Sequence, residues 1–357
     1  MKSKLKRNIV VKHVPETGAK NETYHNWLSI INPVIAIVIA FIFAGLVVLL
    51  SGDNPVTTYA VMIRGAFGQL SGIQNTLRFA APILLLAMSF SICSTSGYFN
   101  IGQEGQMYAS AVTLAITSTL LSGMPSVVRY VIMFSASCLA AALAALVPAL
   151  LKSILGINEI VVGVMFNYLL SLFSTWVLTY SFAAHPSSST PMSLRIPESM
   201  SFGLYLSAVL VILIVYFVFT KCTVGGYQLR MIGKNREFAL ASGINSGKIL
   251  YASAFIGGLL AGFTAFCEII GFYHIVYDGF ASGMGFFGMT AALLGRHHPV
   301  GILLSAILLG GLQSGAVLLP VRTSVPAEIV EVVQGFVMFF ATITLLQSSA
   351  FKKRGAK

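Results

Sequence analysis

The most unusual stretch of this sequence runs from Gly97 to Gln106, where three glycines and several polar side chains interrupt apolar sequence. Glycine lets the backbone leave helical geometry, and an unwound segment is tolerated at membrane depth only against protein or a watery cavity. An ionisable residue such as Glu104 in that setting is a candidate for function. We therefore predict that Phe99, Asn100, Glu104 and Gln106 line a substrate pathway. An ordinary turn with a capping glutamate is the alternative.

A second group of polar residues follows Asn158. Glu159, Gly163 and Asn167 stand at positions i, i+4 and i+8, so they share one face of a predicted helix. A polar and small stripe in an apolar helix is expected to face the bundle interior. Glu159 and Asn167 are candidates for the same substrate pathway, and interhelical hydrogen bonds that only hold the bundle together are the equal alternative.

Motifs for nucleotide, metal or nucleophile chemistry are absent from the sequence. No G-x-x-x-x-G-K-[ST] motif occurs, because the pair Gly247-Lys248 lacks both the first glycine and the following Ser or Thr. There is no H-E-x-x-H motif. The four cysteines are scattered without metal-ligand spacing; they are Cys93, Cys138, Cys222 and Cys267. We expect no bound cofactor, no metal site and no enzymatic reaction, with any ATP bound by a separate chain.

The composition is that of a membrane protein. Hydrophobic residues make up 56% of the 357 residues and charged residues 9%, against about 25% charged in soluble domains. Apolar blocks long enough for spanning helices recur along the chain. We predict an all-α bundle of about ten transmembrane helices, at 29–51, 79–96, 105–123, 128–151, 159–180, 202–220, 249–271, 284–295, 299–318 and 326–348. The eighth is short and is expected to be broken or re-entrant.

Charge distribution predicts the orientation and the domain limits. All but five of the 22 Lys and Arg residues fall on one side if both termini are cytoplasmic; the exceptions are Arg64, Arg78, Arg129, Arg195 and Arg322. We predict a cytoplasmic segment at 1–28, a transmembrane domain at 29–348 and a basic cytoplasmic tail at 349–357. The basic residues lie in short segments between apolar blocks, so no nucleic-acid partner is expected.

Small residues and a weak internal similarity suggest how the helices meet. Gly258 with Gly262, and Gly311 with Gly315, have the spacing of close helix contacts. The segment 96–102 resembles 282–288, five helices away, which is the arrangement of an inverted repeat around a midplane site.

The longest internal cytoplasmic connection covers 221–248. Residues 236–242 can form a short surface helix that stops at Gly243, and such a helix could dock into a groove of a partner. A solvated linker is the alternative.

Four segments together resemble the permeases of bacterial ATP-binding cassette importers for branched-chain amino acids, ribose and nucleosides. They are 97–106, 158–168, 226–245 and 282–301, and the run Phe-Asn-Ile-Gly-x-Glu-Gly-Gln points to the nucleoside and simple-sugar branch. In that family the segment matching 233–245 passes movement from the ATPase to the permease. The resemblance thus implies an ATPase-coupling role for Gly233, Lys234, Asn235, Ala239, Gly243, Ile244 and Asn245.

The resemblance also implies partners: a cytoplasmic ATPase, a second related permease forming a heterodimer and an external substrate-binding lipoprotein, in the plasma membrane of a bacterium. Nucleosides are the expected substrates, with simple sugars as the alternative. An ion-driven secondary transporter and a membrane-embedded enzyme are competing classes. Relatives of the nucleoside type usually carry Asp where this chain has Phe287, which fits either a less substrate-engaged partner of a heterodimer or a different substrate.

Overall fold

The computed structural model describes residues 35, 37–186, 188–197, 199–323, 325–326 and 328–354. The helices in chain order are α1 (Ile37–Leu50), α2 (Pro55–Phe67), α3 (Leu70–Thr95), α4 (Gln103–Leu120), α5 (Ser126–Leu155), α6 (Glu159–Tyr180), α7 (Phe202–Cys222), α8 (Val224–Lys234), α9 (Arg236–Ala241), α10 (Ser246–Glu268), α11 (Met284–Leu294), α12 (Pro299–Ala316), α13 (Leu319–Arg322) and α14 (Ile329–Arg354). A π-helical turn, Ile269–Tyr273, extends α10. Within the described ranges, extended pairing is limited to two isolated bridges, of Ala184 with Ser193 and of Met192 with Tyr277.

Six helical segments in the described ranges are long and apolar enough to cross a membrane: α3, α5, α6, α7, α10 with its π-helical turn, and α12 with α13. The pair α1 and α2, bent by 116°, would add a seventh span. Each of the ten predicted spans corresponds to a helix, so the prediction of an all-α membrane bundle is confirmed. The predicted segment 1–28 and the start of the first span lie outside the described residues.

Helix starts follow from local capping chemistry. The side chain of Asn158 accepts a hydrogen bond from Ile160 N at the start of α6, and Ser201 and Thr223 do the same for α7 and α8. Asn235 and Asn245 cap α9 and α10 through Phe238 N and Lys248 N, both at 3.0 Å. These oxygens satisfy N–H groups that would have no partner within the helix. The connection at 221–248 is therefore built from helices rather than from a solvated linker.

Helices α2 and α8 were not predicted, and the limits of α3 and α14 differ from the prediction. Helix α2 was not expected, because it has only 13 residues and carries Arg64, although Asn54 caps it and Pro55 occupies its first turn. Helix α3 begins at Leu70, nine residues before the expected start, since polar residues occupy its first turns. Helix α14 continues to Arg354, so the predicted tail at 349–357 begins as part of this helix.

Small residues bring α10 against α5, as the sequence predicted. A Cβ atom at Gly258 would lie 2.6 Å from Ala142 Cα, and one at Gly262 would lie 2.8 Å from Ala141 Cβ. Gly315 makes a similar approach to the backbone of α2 at Met62. Any side chain at these positions would force the helices apart, so the α5 and α10 backbones are in direct contact.

Helix α11 is only half a span. Its 11 residues cover about 16 Å at 1.5 Å per residue, about half of a bilayer core of roughly 30 Å. It follows Gly283, which has a φ of 76°, and its packing partners are α3, α12 and α14. The eighth helix is thus short, as expected, and its N-terminus lies inside the protein beside the start of α4.

Candidate functional site

The connection between α3 and α4 is held in place by the face of α6 that carries Glu159, Gly163 and Asn167. Asn167 Oδ1 accepts a hydrogen bond from Gly105 N at 2.8 Å, and Asn167 Nδ2 donates to Ile101 O at 2.9 Å. A Cβ atom at Gly163 would lie 3.2 Å from Gly102 N. The three residues share one face, as predicted, and both polar ends of the Asn167 amide bind backbone. This contact fixes the unwound segment.

Glu159 anchors the same segment nearer the end of the bundle. Its Oε1 lies 2.5 Å from Lys152 Nζ and 3.5 Å from Phe99 N, and Lys152 Nζ also donates to Gly97 O at 3.1 Å. The Phe99 ring packs edge-on against Phe90 with ring centroids 4.9 Å apart. Glu159 therefore connects α6 with Lys152 of α5 and with the backbone of the unwound segment. Glu104 lies in a different contact, at the N-terminus of α11.

Asn100 and Gln106 pair with each other inside the protein. Gln106 Nε2 donates to Asn100 Oδ1 at 3.0 Å, and the opposite bond, from Asn100 Nδ2 to Gln106 Oε1, is 3.4 Å long. Asn100 Oδ1 also accepts from Gly102 N at 3.1 Å. Both side chains are fully buried. Their amides support the turn into α4, and a role of either in substrate contact stays a prediction.

Glu104 lies where the N-termini of α4 and α11 meet. Its carboxyl group accepts hydrogen bonds from the backbone N–H groups of Gly283 and Gly285, and Gly285 approaches so closely that a Cβ atom there would lie 3.0 Å from Glu104 Cγ. The first N–H groups of a helix favour an anionic partner. Glu104 Oε1 is buried and has no hydrogen-bond partner among the described residues. This oxygen is the free acceptor of the site.

Phe287 borders the same place. Its ring lies 3.7 Å from the Cβ position of Gly283, at the first turn of α11. The Phe287 ring therefore lies at the first turn of α11, close to the Gly283 and Gly285 backbone that binds Glu104. An apolar neighbour of this size can stack against a flat ligand, while Glu104 supplies the hydrogen-bond acceptor.

Polar groups continue from Glu104 along α4 and α6 toward the 274–283 loop. The Tyr108 hydroxyl hydrogen-bonds with Ser171 and with the backbone of Ala281, and Thr175 Oγ1 donates to Asp278 Oδ1 at 2.7 Å. We call this set the polar stripe, consisting of Glu104, Tyr108, Asn167, Ser171, Thr175 and Asp278. Tyr108 is buried and packs against Phe280, with ring centroids 5.4 Å apart. This aromatic pair lies between the Glu104 end and the Asp278 end of the polar stripe.

Sequence reasoning missed four members of the polar stripe. Tyr108 lies four residues after Glu104 on α4, and Ser171 and Thr175 continue the spacing of Asn167 on α6, so helical periodicity could have found these three. Asp278 carries no such signal, because only the folding of the 274–283 loop brings it to Thr175.

The predicted coupling residues lie on α8, α9 and their flanks. Gly233 packs against the backbone of Thr95 at the end of α3, and Asn235 and Asn245 cap α9 and α10. Gly243 has a φ of 80° and ends the short helix, as expected. Ala239 is fully buried against its own chain, whereas Phe238 and Leu240 are 56% and 49% exposed. The outward apolar side chains of α9 are therefore Phe238 and Leu240, which the sequence did not single out.

The sequence of this chain matches a known family. Residues 72–342 match the family described as the branched-chain amino acid transport system / permease component. The match covers most of the chain and contains both the polar stripe and the α8–α9 segment. This chain belongs to that family, and it is a multi-pass membrane permease.

Several named proteins are similar to this chain over most of its length. The chain is 28% identical to the nucleoside ABC transporter permease protein NupB of Lactococcus lactis, over 92% of this chain and 98% of the relative. It is also 28% identical to the guanosine ABC transporter permease protein NupP of Bacillus subtilis, over 91% and 97%, and to the glucose ABC transporter permease protein TsgB13 of Haloferax volcanii, over 92% and 90%. A solved structure, PsaBC from Streptococcus pneumoniae in complex with Fab, is 13% identical over 80% of this chain and 95% of that chain, with a TM-score of 0.48.

Proposed function

We propose that this chain is the permease subunit of an ATP-binding cassette importer that carries nucleosides across the membrane. The observation that carries the proposal is the similarity to NupB and NupP over nearly the full length of each. The polar stripe supports it, because a nucleoside offers N–H and O–H donors and a flat base. Glu104 Oε1 is a buried acceptor without a partner among the described residues, and the paired rings of Tyr108 and Phe280 lie further along the polar stripe.

Glucose or a related sugar is the second candidate substrate, supported by the similarity to TsgB13. Sugars also donate hydrogen bonds through hydroxyl groups, which the Glu104 carboxylate could accept. The aromatic residues around the stripe favour a base over a sugar, since a flat base can stack on a ring face.

We infer that a second permease completes the pathway. Bacillus subtilis has two permeases named for guanosine, NupP and NupQ, and Lactococcus lactis has two named for nucleosides, NupB and NupC. This chain is similar to all four, and it aligns over 91–92% of its length with NupP and NupB but over 69–71% with NupQ and NupC. We expect the partner to resemble the second member of each pair, giving a heterodimer.

The remaining partners follow from an importer of this type. A cytoplasmic ATPase would bind and hydrolyse ATP and would contact α9 through the exposed Phe238 and Leu240. An external binding lipoprotein would deliver substrate to the end of the bundle that carries Asp278. In this orientation both termini and α8–α9 are cytoplasmic, as the distribution of Lys and Arg predicts.

Uptake in a host that lacks nucleoside transport tests the proposal. The chain is expressed with its ATPase, second permease and binding protein, and uptake of labelled guanosine, glucose and ribose is measured. We expect guanosine uptake that other nucleosides compete for and that requires the ATPase. Uptake of glucose without competition by nucleosides would assign the second candidate. Transport by this chain without any ATPase would contradict the proposed class.

A further inference from the structure

A cavity of about 350 Å³ lies at the end of the bundle opposite Asp278. The ends of α3 and α7, one side of α8 and the turn between α11 and α12 line it. Its basic lining residues are Lys221, Arg230, Lys234 and Arg296. We call it the basic cavity. Its volume falls in the range of sites for small ligands.

The charged residues that line the basic cavity are all basic, and none of the described residues that line it is Asp or Glu. His297 and His298 also line it, and burial lowers the pKa of His297 to about 4. Lys221 and Lys234 are exposed to solvent, whereas Arg230 and Arg296 are half-buried. These positive side chains lie around one partly open space, which favours an anion there.

Arg230 provides the second observation. Its Nη1 is buried and has no hydrogen-bond partner among the described residues. A buried guanidinium nitrogen without an acceptor is costly, and an anion in the cavity would supply that acceptor. Arg296 and His297 have φ values of 52° and 57°. This left-handed backbone, sparsely populated by residues other than glycine, directs the α11–α12 turn toward the cavity.

The hydroxyl groups of the lining suit one class of anion. Ser94 and Thr95 at the end of α3 line the cavity with the basic residues. The hydroxyl of Thr220, which also lines it, donates to the backbone of its own helix at Tyr216 and Phe217. Arg, Lys and the Ser94 and Thr95 hydroxyl groups around one cavity are groups that bind phosphate, since guanidinium forms paired bonds to phosphate oxygens.

We propose that the basic cavity binds a phosphate group. The phosphate belongs either to a soluble cytoplasmic molecule or to the headgroup of an anionic phospholipid, since Lys221 lies at the end of a helix long and apolar enough to span the membrane. Because α8 forms one wall of the cavity and leads directly into α9, an occupied cavity would stabilise the placement of α9.

Binding measurements on the full-length chain in nanodiscs test this proposal. In phosphatidylcholine discs, inorganic phosphate and AMP are titrated while thermal stability is followed, without ATPase or nucleoside. In a second arm, discs of phosphatidylcholine alone are compared with discs containing phosphatidylglycerol. Arg230→Gln and Lys221→Gln remove cavity charges. Lys248→Gln is the matched control, since Lys248 is an exposed lysine outside the cavity.

We expect each cavity variant to weaken binding about 10- to 100-fold, as for the loss of a hydrogen bond to a charged group, and the control to leave it unchanged. Stabilisation by phosphate or AMP identifies a soluble ligand, and stabilisation only by phosphatidylglycerol identifies a lipid. The proposal fails if neither arm stabilises the chain, or if both cavity variants respond like the control. Transport is not measured, so these outcomes are independent of the substrate.

Discussion

Replacement of Glu104 by glutamine is the sharpest test of the polar stripe. The glutamine side chain has nearly the same size, so the packing against Gly285 is retained. Glutamine lacks the negative charge that strengthens the hydrogen bonds from the N–H groups of Gly283 and Gly285. It also offers one acceptor oxygen instead of two. In glutamine the atom at the position of Oε1 is either an amide nitrogen, which donates, or an uncharged oxygen, which is a weaker acceptor.

The size of the effect follows from these contacts. A hydrogen bond to a charged group contributes about 1.5–3 kcal/mol, and each 1.4 kcal/mol is about tenfold in binding. Loss of one such bond to the substrate should therefore lower uptake efficiency roughly 10- to 100-fold. Loss of the interaction with the N-terminus of α11 adds about 0.3–1 kcal/mol of destabilisation, which should reduce thermal stability only slightly.

Guanosine uptake, normalised to the amount of chain in the membrane, measures this effect. Glu331→Gln is the matched control, because Glu331 also lies in the first turn of a helix but is exposed. We expect the control to transport like the wild type. If Glu104→Gln keeps the wild-type KM and maximal rate per molecule, the carboxylate only caps α11 and the polar stripe is not the pathway.

Four further predictions follow, one on the unwound segment, two on the coupling segment and one on the topology. Asn167→Ala leaves Gly105 N and Ile101 O without their partner, at about 1–3 kcal/mol for each unsatisfied group, so the melting temperature should fall clearly, whereas Tyr168→Ala at a position 70% exposed should have little effect. Phe238→Ser should abolish substrate-stimulated ATP hydrolysis in the assembled transporter without loss of folded permease, and a variant that still couples would exclude α9 as the contact. Gly243→Val places a β-branched residue at a φ of 80°, which costs about 1–2 kcal/mol and should weaken coupling, whereas Gly123→Val, in open space, should not. Reporter fusions should place both termini in the cytoplasm and the α6–α7 loop outside, and an external C-terminus would refute this orientation.

The helices could be predicted from apolar run length, whereas the tertiary arrangement of the polar groups could not. The segment around Glu104 was recognisable because glycines and polar residues interrupt apolar sequence. Its geometry depends on Gly283 and Gly285, which lie about 180 residues further along the chain. Helix α2 was missed because membrane-span length is a poor guide to a short helix, even though Asn54 and Pro55 are recognisable start signals.

The burial of individual side chains could not be predicted from the sequence either. Ala239 was expected to meet the ATPase, since small residues favour close approach, but the short helix turns Ala239 inward and Phe238 outward. Six residues are too few to establish a helical face by periodicity. The basic cavity had no sequence signal either, because Lys221 and Arg296 are brought together only when α7 packs beside the α11–α12 turn.

The direct contact of α5 with α10 has a mechanical consequence. The 23 residues of α10 form a rod of about 35 Å, and only residues 242–245 separate it from α9. A displacement of α9 is therefore transmitted to α10 through a connection of only these few residues. Because Gly258 and Gly262 bring the α10 backbone into direct contact with α5, we expect the two helices to move together in a transport cycle. We expect relative movement at the junction of α4, α6 and α11 around Glu104, which contains hydrogen bonds that can break and re-form.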